Sequence, residues 1–320
     1  MKIFITGVAG FLGSHLADLM ISEGHTVAGD DNMIGGYTDN VPQNVEFYQV
    51  DCCDLENMTK AMEGCDIVYH TAATAYEGLS VFSPVLVTRN IFEASVTTIT
   101  AAIRNKVKRI VYCSSMARYG HHDKMPYKET FECRPQDPYG IAKKAGEDVL
   151  KNLCETHGVE YVIAVPHNIV GPRQKYDDPF RNVMSIMLNR MLQGKQPIIY
   201  GDGEQQRCFS YIDDCLYCLN ALAFQDNVVG EVINIGPDEE PITINKLAEA
   251  CANETGLNLD PIHHKDRPKE VKLAVCSSDK ARDLLGYKTA TNMRQSVKKT
   301  AEYIRTCLLY TSPSPRDTSS

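Results

Sequence analysis

The sequence predicts an α/β fold, in which helices cover both faces of a parallel, doubly wound sheet. Two features of the chain predict it. Short apolar runs show no alternation of apolar and polar residues, as expected for strands that are buried on both faces. Stretches with apolar residues at helical spacing separate these runs. Such alternation is typical of parallel sheets, because each parallel connection needs a crossover.

The N-terminal half of the chain carries the clearest alternation. Its predicted strands are 2–6, 25–29, 45–50, 67–70, 109–113 and 160–165. Its predicted helices are 11–22, 85–105 and 139–157. After about Pro166 the loops are longer and richer in proline. The elements predicted there are helices near 180–193, 213–224 and 243–255, and one strand, 231–235, that is able to return to the sheet.

The chain therefore divides into two interleaved parts and a tail. Residues 1–165 with about 197–237 are predicted to form the sheet domain, and about 166–196 with 238–305 a smaller, more irregular region. Residues 306–320 are interpreted as a non-native tail, because the stretch 310–320 is rich in Ser, Thr and Pro and is similar to translated adaptor or vector sequence.

Composition and charge exclude several classes of protein. Of the 320 residues, 43% are hydrophobic and 23% are charged, which is ordinary for a globular protein and excludes a disordered or fibrous one. The net charge of -8 argues against a nucleic-acid partner, which needs a basic surface. No uncharged apolar run approaches the ~18 residues of a membrane span, so no membrane contact is predicted.

The twelve cysteines are spaced irregularly, in a chain long enough to fold without disulfides. With no signal peptide in the N-terminal residues, reduced, buried thiols and a cytoplasmic location are expected. Cys215 and Cys218 form a single CxxC pair inside a predicted helix, without a second pair or a nearby histidine to complete a zinc site. The sequence therefore predicts no metal site.

A glycine-rich turn joins the first predicted strand to the first helix, where Gly7, Gly10 and Gly13 form the pattern GxxGxxG. In a dinucleotide-binding turn, the first glycine allows the tight turn and the second lets a pyrophosphate approach the backbone. The third lets the helix pack closely on the strand. The free N–H groups and the dipole of the helix N-terminus favour a phosphate there. The pattern predicts a dinucleotide site and a Rossmann-type domain; the alternative is a tight turn without a ligand.

The end of the second strand indicates which dinucleotide binds. Asp30 and Asp31 end this strand, where a carboxylate accepts hydrogen bonds from the adenosine ribose and repels a 2′-phosphate. No lysine or arginine occurs from Ile3 to Thr59 to attract such a phosphate. NAD is therefore predicted rather than NADP, unless a basic residue from farther along the chain folds into the site.

Tyr139 and Lys143 are four residues apart at the start of a predicted helix, and so lie on one face of it. A tyrosine has a pKa near ~10, and lowering it to about 7 takes roughly 4 kcal/mol of stabilisation of the phenolate. A neighbouring ammonium and the positive ring of bound NAD supply that kind of stabilisation. The strand before this helix ends in Cys113, Ser114 and Ser115, whose hydroxyls can meet a substrate oxygen. The alternative for the YxxxK pair is a solvated helix face.

Together these motifs resemble those of the extended short-chain dehydrogenase/reductases, in the branch of NAD-dependent sugar-nucleotide epimerases and dehydratases. The resemblance runs from Lys2 to about Ile304. The matching residues are Gly7, Gly10, Gly13, 31–32, 51–52, 70–73, Asn90, 114–115, 119–120, Tyr139, Lys143, 167–168, 171–172, 201–203, Arg207 and 267–268.

The resemblance implies roles for individual residues. Ser115, Tyr139 and Lys143 would be catalytic: Ser115 would bind the reacting oxygen, Tyr139 would take its proton, and Lys143 would bind the nicotinamide ribose. The residues implied to contact NAD are Gly7, Gly10, Phe11, Leu12, Gly13, Asp31, Asn32, Asp51, Cys52, Thr71, Ala72, Ala73, Asn90, Tyr139 and Lys143. Those implied to contact a nucleotide-sugar substrate are Ser115, Asn168, Asn182, Ile198, Tyr200, Arg207, Arg267 and Glu270.

Some of these substrate assignments have a plain alternative. Arg207 and Arg267 suit a diphosphate, because guanidinium groups bind phosphate oxygens in pairs, but either arginine alone is more often part of a surface ion pair. Ile198 and Tyr200 match positions beside the uracil, and a role in the core of a strand fits them nearly as well.

Met116 and Ala117 indicate the type of reaction. Dehydratases and decarboxylases of the resembling branch carry carboxylates after the hydroxyl residue, whereas Met116 and Ala117 neither donate nor accept a proton. The expected activity is therefore epimerisation at sugar carbon 4, of the UDP-glucose/UDP-galactose type, through a transient 4-keto sugar, with NAD retained as a cofactor. The alternatives are an NAD(P)-dependent nucleotide-sugar or small-carbonyl reductase or dehydratase of the same superfamily, of which the reductase would consume NADPH, and a non-enzymatic dinucleotide-sensing or RNA-binding member.

Several positions depart from the pattern of the branch. Val165, the pair Pro166-His167 and Cys208 lie in the substrate half, which leaves the sugar open. Arg118 is a charge where an apolar residue is common; His167 and Arg118 either read a different sugar or are structural. A homodimer through the predicted helices 85–105 and 139–157 is expected by analogy.

Overall fold

The structure is a computed structural model that describes residues 1–75, 77–178, 182–237, 239–265 and 272–311. The strands are β1 (Lys2–Thr6), β2 (Thr26–Asp30), β3 (Val45–Tyr48), β4 (Ile67–His70), β5 (Arg109–Cys113), β6 (Glu160–Pro166), β7 (Ile169–Val170), β8 (Ile198–Tyr200), β9 (Gln206–Arg207), β10 (Ser210–Tyr211), β11 (Val232–Ile235), β12 (Ile242–Thr243), β13 (Ile262–His264) and β14 (Leu273–Ala274). The helices are α1 (Phe11–Ser22), α2 (Leu55–Ala61), α3 (Glu77–Ser80), α4 (Pro84–Thr88), α5 (Ala94–Arg104), α6 (Pro138–His157), α7 (Val183–Leu192), α8 (Ile212–Phe224), α9 (Ile244–Thr255), α10 (Asp279–Leu285) and α11 (Met293–Thr311).

Seven parallel strands form the central sheet, in the spatial order β3-β2-β1-β4-β5-β6-β11. The predicted doubly wound fold is confirmed. The chain moves outward in one direction from β1 to β3 and in the other from β4 onward. In such sheets the crevice outside the carboxyl ends, at the point where the order reverses, is where ligands bind. Here that point lies between β1 and β4.

Helices cover both faces of this sheet, and the strand residues alternate between two apolar layers. Ile3 and Ile5 belong to the layer that contains Leu16 of α1 and Leu219 of α8. Phe4, between them, belongs to the opposite layer with the residues of α2, α5 and α6. Because the side chains of a strand alternate, burial on both faces requires the continuous apolar run seen in β1.

The later part of the chain builds three small sheets. Strand β8 pairs with β13, β9 pairs with β12 and β14, and β10 pairs with β7. Residues 198–207, which the sequence analysis assigned to the sheet domain, thus pair with strands of the later region, whereas β11 joins the central sheet. Helix α11 continues to Thr311, past the predicted start of the tail at 306. None of the helices in the described ranges is long and apolar enough to cross a membrane.

The helix predicted over 85–105 differs from the prediction in its centre. It consists of α4, a π-helical turn at Arg89–Glu93, and α5. Turns of this kind are rare and frequently occur at functional sites. The apolar residues keep a helical spacing across the one extra residue of the π-helical turn. Their spacing alone therefore does not reveal this bulge.

Candidate active site

The predicted glycine turn lies at the carboxyl end of β1. An ideal Cβ at Gly13 would lie 2.2 Å from the carbonyl oxygen of Gly7, and one at Gly7 would lie 2.9 Å from the Cα of Ala72. Neither position therefore has room for a side chain. Gly10 is the N-cap of α1 and places no side-chain cap on the helix, so the first N–H groups of α1 stay available to a ligand. Phe11 and Leu12 begin the helix, both half-buried.

A second segment, Thr71 to Ala73, packs against this turn. The Thr6 side-chain oxygen accepts hydrogen bonds from the N–H groups of Thr71, at 3.1 Å, and of Ala72, at 3.0 Å. Ala73 packs against the apolar cluster that contains Tyr139. The structure thus brings together the glycine turn, the segment predicted to run beside the cofactor, and the predicted base. Thr6 was missed by sequence reasoning, and its place directly before the first glycine is the signal available for it.

Of the two carboxylates that end β2, only Asp31 faces the turn. Its two oxygens accept the N–H groups of Ala9, at 3.1 Å, and Met33, at 2.8 Å. Asp30 is fully buried and accepts a hydrogen bond from the Cys52 thiol at 3.1 Å, and burial raises the pKa of Asp30 to about 8. Asn32 is exposed. Asn32 is therefore the accessible residue of this strand end, and Asp31, which is 7% exposed, lies between it and the glycine turn.

A basic residue does approach this end of the sheet. Arg89, from the π-helical turn, lies 3.1 Å from a carboxylate oxygen of Asp51, and a second carboxylate, Glu93, lies 3.9 Å from Arg89. Arg89 lies outside the stretch from Ile3 to Thr59 whose lack of basic residues favoured NAD over NADP. Because two acids flank Arg89, it brings little net positive charge to Asp51 and Cys52, which are implied to contact NAD.

Lys143 is buried, with 2% of its surface exposed, and its ammonium donates a hydrogen bond to the Cys113 carbonyl at 2.8 Å. The same ammonium lies 5.5 Å from the centre of the Tyr112 ring. Burial lowers the pKa of Lys143 to about 8, against the opposing influence of Cys113 and Glu147. The ammonium of Lys143 is therefore held at the carboxyl end of β5, at Cys113, which is two residues before Ser115.

Tyr139 lies one turn before Lys143 on α6 and is also buried. It is the second residue of the helix, whose first turn Asp137 caps by accepting the Gly140 N–H at 2.9 Å. The positive end of the helix dipole thus lies at the tyrosine, and it favours a phenolate. Ala117, two residues after Ser115, packs against the Tyr139 cluster.

Ser115 begins the turn that follows β5, and its side-chain oxygen accepts the Ala117 N–H at 3.2 Å. The start of α6 lies very close to this turn, because an ideal Cβ at Gly140 would be 2.6 Å from the carbonyl oxygen of Ala117. Ser115 is half-buried and so remains accessible at the edge of the crevice. The three predicted catalytic residues therefore share one small region of the fold; their roles stay predictions.

Asn90 lies in the π-helical turn and is buried. Its amide donates a hydrogen bond to the Thr74 hydroxyl at 2.9 Å, directly after the segment that packs on the glycine turn. A π bulge shifts the side chains that follow it relative to a regular helix. The bulge therefore sets which residue of this helix meets Thr74.

Two of the predicted substrate residues lie close together. Asn168 is exposed, has a positive φ of 40°, and donates a hydrogen bond to the Cys208 carbonyl at 3.1 Å. Cys208 directly follows Arg207, whose guanidinium also donates to the Gln206 carbonyl at 2.8 Å. The link places Asn168 and Arg207 on the same side of the molecule, beyond the carboxyl end of β6.

The other predicted substrate residues are less closely connected. Asn182 caps α7 by accepting the Met184 N–H at 3.0 Å. Ile198 and Tyr200 are the half-buried ends of β8, and Tyr200 lies 5.8 Å, between ring centres, from His264. Arg267 and Glu270 lie outside the described residues.

The two unusual residues Arg118 and His167 have different surroundings. Arg118 is buried and forms an ion pair with Glu147 at 2.9 Å, so it faces the interior. His167 is buried beside Asn168, with 3.2 Å between its Nε2 and the Asn168 amide nitrogen. Burial lowers the pKa of His167 to about 4, so the ring is neutral at physiological pH.

The fold and this arrangement of turn, tyrosine and lysine define an extended short-chain dehydrogenase/reductase. The family model described as "NAD dependent epimerase/dehydratase family" matches residues 3–236. The chain belongs to this family: it is an enzyme of that family, and its cofactor is NAD.

Individual relatives agree on the family and differ in reaction. The chain is 32% identical to the UDP-glucose 4-epimerase of Thermotoga maritima, solved with UDP-glucose, with a TM-score of 0.92 over 96% of this chain and 100% of that one. It is 28% identical to the UDP-glucose 4-epimerase of Mycolicibacterium smegmatis, over 95% of this chain and 99% of that protein. It is also 28% identical to a UDP-N-acetyl-alpha-D-glucosaminuronate decarboxylase of Bacillus cytotoxicus, over 95% and 98%.

The glycine turn generates a prediction about cofactor binding. In Gly10→Ala, the added Cβ lies 3.1 Å from the Gly7 carbonyl oxygen, a contact that a small shift relieves, but it stands where the turn must receive a pyrophosphate. We expect NAD affinity to fall by about tenfold or more, which is ~1.4 kcal/mol. Calorimetric titration of NAD measures this.

Gly78→Ala is the matched control, because the position of its Cβ is open space. Its NAD affinity should equal that of the unmodified protein. Unchanged NAD binding in Gly10→Ala, with normal thermal unfolding of both variants, contradicts the assignment of the turn.

Proposed function

We propose that the protein interconverts the two carbon-4 epimers of a nucleotide sugar of the UDP-glucose/UDP-galactose type. The observation that carries this proposal is the buried Tyr139–Lys143 pair beside Ser115, in a turn whose next residues are Met116 and Ala117. One group there is suited to accept a proton, and Met116 and Ala117 bring neither the acid nor the base that expelling water or carbon dioxide requires. A reaction that removes and returns one hydroxyl proton fits this set.

The residues near the glycine turn fit NAD. Gly7, Gly10 and Gly13 would receive the pyrophosphate at the start of α1, and Asp31 with Asn32 would receive the adenosine ribose. Asp51, Cys52, 71–73 and Asn90 would line the rest of this site. NAD bound there would supply the hydride acceptor and donor that a change of configuration at the sugar carbon requires.

The chain's own residues would handle the proton and the orientation of the sugar. Tyr139 would accept the proton of the carbon-4 hydroxyl and later return it. Ser115 would hold the same oxygen by a hydrogen bond. Lys143 would keep Tyr139 ionised by its positive charge, with the dipole of α6 acting in the same sense.

The nucleotide part of the substrate would bind at the later strands. Arg207 would hold the diphosphate, since a guanidinium matches two phosphate oxygens at once, and Arg267 would join it. Asn168, exposed and close to Arg207, would contact the sugar. Asn182, Ile198, Tyr200 and Glu270 would complete the site.

The role of Tyr139 is tested by removing one oxygen. In Tyr139→Phe the proton acceptor is lost while the ring still packs, so kcat should fall by about 10³-fold, within the range for general acid–base residues, and NAD should stay bound. The measurement is single-turnover conversion of UDP-glucose with quantification of released NAD. The control is Tyr161→Phe. Among the described residues, the hydroxyl of Tyr161 donates a hydrogen bond to Glu155 at the surface of the protein. Near-normal turnover by Tyr139→Phe rejects the assignment.

The reaction itself is tested with a panel of UDP-, GDP- and CDP-sugars in deuterated water. Epimerisation at carbon 4 by hydride removal and return should yield a product of unchanged mass, with no solvent deuterium on the ring carbon. Epimerisation by deprotonation of a ring carbon introduces deuterium, and decarboxylation lowers the mass by that of carbon dioxide. Either of the last two outcomes, resolved by chromatography and mass spectrometry, contradicts the proposal.

We also propose that the protein is a homodimer. Large apolar side chains are exposed on and beside α3, α4 and α6: Val81 is 56% exposed, Phe82 80%, Val85 82% and Ile141 53%. Exposed apolar groups on neighbouring elements are typical of an interface. The helices α4, α5 and α6 are those for which the sequence predicts dimerisation.

A charge at this surface tests the dimer. Val85→Glu places a carboxylate in the apolar patch and should shift the protein from dimer to monomer, as measured by sedimentation velocity. Val229→Glu, at a side chain that is 40% exposed outside the patch, is the control and should remain dimeric. Equal masses for Val85→Glu and the unmodified protein contradict the proposed interface.

A cytoplasmic location is proposed from the thiols. None of the twelve cysteines, all of which lie within the described residues, forms a disulfide, and most of them are buried. Proteins of oxidising compartments commonly hold such residues in disulfides. Twelve cysteines without a disulfide among them therefore favour a reducing compartment.

A further inference from the structure

A buried ion pair joins the two elements that carry the proposed catalytic residues. The guanidinium of Arg118 is 2.9 Å from a carboxylate oxygen of Glu147, and their side chains are 5% and 0% exposed. The other oxygen of Glu147 accepts a hydrogen bond from the Ser114 hydroxyl. Both charges are thus removed from water and paired with each other, while Nε and Nη1 of Arg118 have no hydrogen-bond partner among the described residues.

Each end of the pair is attached to a catalytic element. Arg118 closes the turn that Ser115 begins, and its N–H donates to the Ser115 carbonyl at 3.1 Å. Glu147 is four residues after Lys143 on α6, and therefore on the same face of the helix. The pair ties the Ser115 turn to the helix that carries Tyr139 and Lys143.

Stability alone does not explain the pair. Replacing a buried ion pair by apolar residues of similar volume is often neutral or stabilising, because the desolvation of two charges offsets their attraction. Removal of one partner, by contrast, leaves an uncompensated charge in the interior. The consequence of that charge depends on what lies beside it, which here is the proposed proton acceptor and its lysine.

We propose that Glu147 is a positioning residue that balances the permanent charge of Arg118, and that this balance sets the pH range in which Tyr139 can accept a proton. The inference rests on the proposed role of Tyr139. Arginine keeps its charge at any physiological pH, so only Glu147 can cancel it from this position. The carboxylate thus acts on Tyr139 and Lys143 through charge, without touching the substrate.

Other titratable groups border the same region. Those facing Lys143 or Glu147 from the sheet are His70, Tyr112 and Cys113, those on α6 are Lys144 and Lys151, and those beside Arg118 are Tyr119 and Cys133. Burial raises the pKa of Glu147, and the positive charge of Arg118 is the strongest influence that lowers it. The pKa of His70 is lowered to about 3 by burial, so this ring adds no charge near neutral pH.

The decisive variant is Glu147→Gln, which keeps the shape of the side chain and leaves Arg118 charged. A nearby cation favours the phenolate, so the acid limb of the kcat profile should move down by about one pH unit, the order expected for a buried charge within ~10 Å. The loss of Glu147 also lowers the pKa of Lys143, so the alkaline limb should move down as well. Asp148→Asn is the matched control: it removes a carboxylate at the next position of the same helix, where the Asp148 side chain is 60% exposed, and solvent should screen the change.

Two further variants fix the sign. In Arg118→Met together with Glu147→Gln, neither charge of the pair remains. The pH profile of kcat should then return to that of the unmodified protein. In Arg118→Met alone, Glu147 can take up a proton, so the acid limb should stay in place or move upward. If Glu147→Gln does not fold, Arg118→Met still decides, because a downward shift there overturns the proposal.

A second readout does not depend on turnover. The ultraviolet absorbance of tyrosinate is titrated in the NAD-bound protein, and the same titration with Tyr139→Phe added to each variant isolates the signal of Tyr139. A downward shift of this titration in Glu147→Gln supports the inference even if the substrate is not a carbon-4 epimer pair. Unchanged titrations in Glu147→Gln and the unmodified protein overturn it, whatever the fate of the proposed reaction.

Discussion

The close contact between the start of α6 and the turn after β5 is the constraint on which the proposed site depends. Gly140 allows it, since an ideal Cβ there would lie 2.6 Å from the Ala117 carbonyl oxygen. With the helix at this distance, Lys143 reaches the Cys113 carbonyl at 2.8 Å and Ala117 packs against Tyr139. A larger residue at 140 would push the helix outward, and the lysine and the Ser115 turn would separate. The lack of a side chain at Gly140 thus allows Lys143 and the Ser115 turn to lie close together.

Burial gives this contact its electrostatic consequence. A desolvated ammonium loses hydration, and the pKa of Lys143 falls to about 8, so the group stays mostly charged at neutral pH but not by a wide margin. The same low dielectric strengthens its attraction for a phenolate. Every further charge in this interior therefore affects the tyrosine more than a surface charge does. The pairing of Arg118 with Glu147 has to be understood in that setting.

Local patterns in the sequence predicted much of the fold. The bounds of β1, α1, β4 and β5 agree with the predicted ones, because buried parallel strands and glycine turns leave signals within a few residues. The contacts of Arg89 and Arg118 were not predictable in this way. Arg89 contacts Asp51, and Arg118 contacts Glu147. In each pair the partner lies far along the chain, and the local spacing of residues does not predict such a contact. The region to which the short strands β8 and β9 belong was not predictable for a related reason, since only their pairing with β12, β13 and β14 shows which strands they join.

A chain of hydrogen bonds links the glycine turn to helix α6, and the number of available protons fixes the direction of each bond. The Thr6 oxygen accepts two N–H groups, from residues 71 and 72, so its one proton goes to His70 Nδ1 at 2.9 Å. His70 must then carry its proton on Nε2, and this nitrogen donates to Ser95 at 3.0 Å. Ser95 in turn lies 3.3 Å from the Tyr112 hydroxyl, which reaches a backbone carbonyl of α6. A charged imidazole would need a second acceptor in place of Thr6, and burial prevents it by lowering the pKa of His70 to about 3. The two halves of the site are therefore joined by a neutral chain of hydrogen bonds with one permitted tautomer, which adds no charge between them.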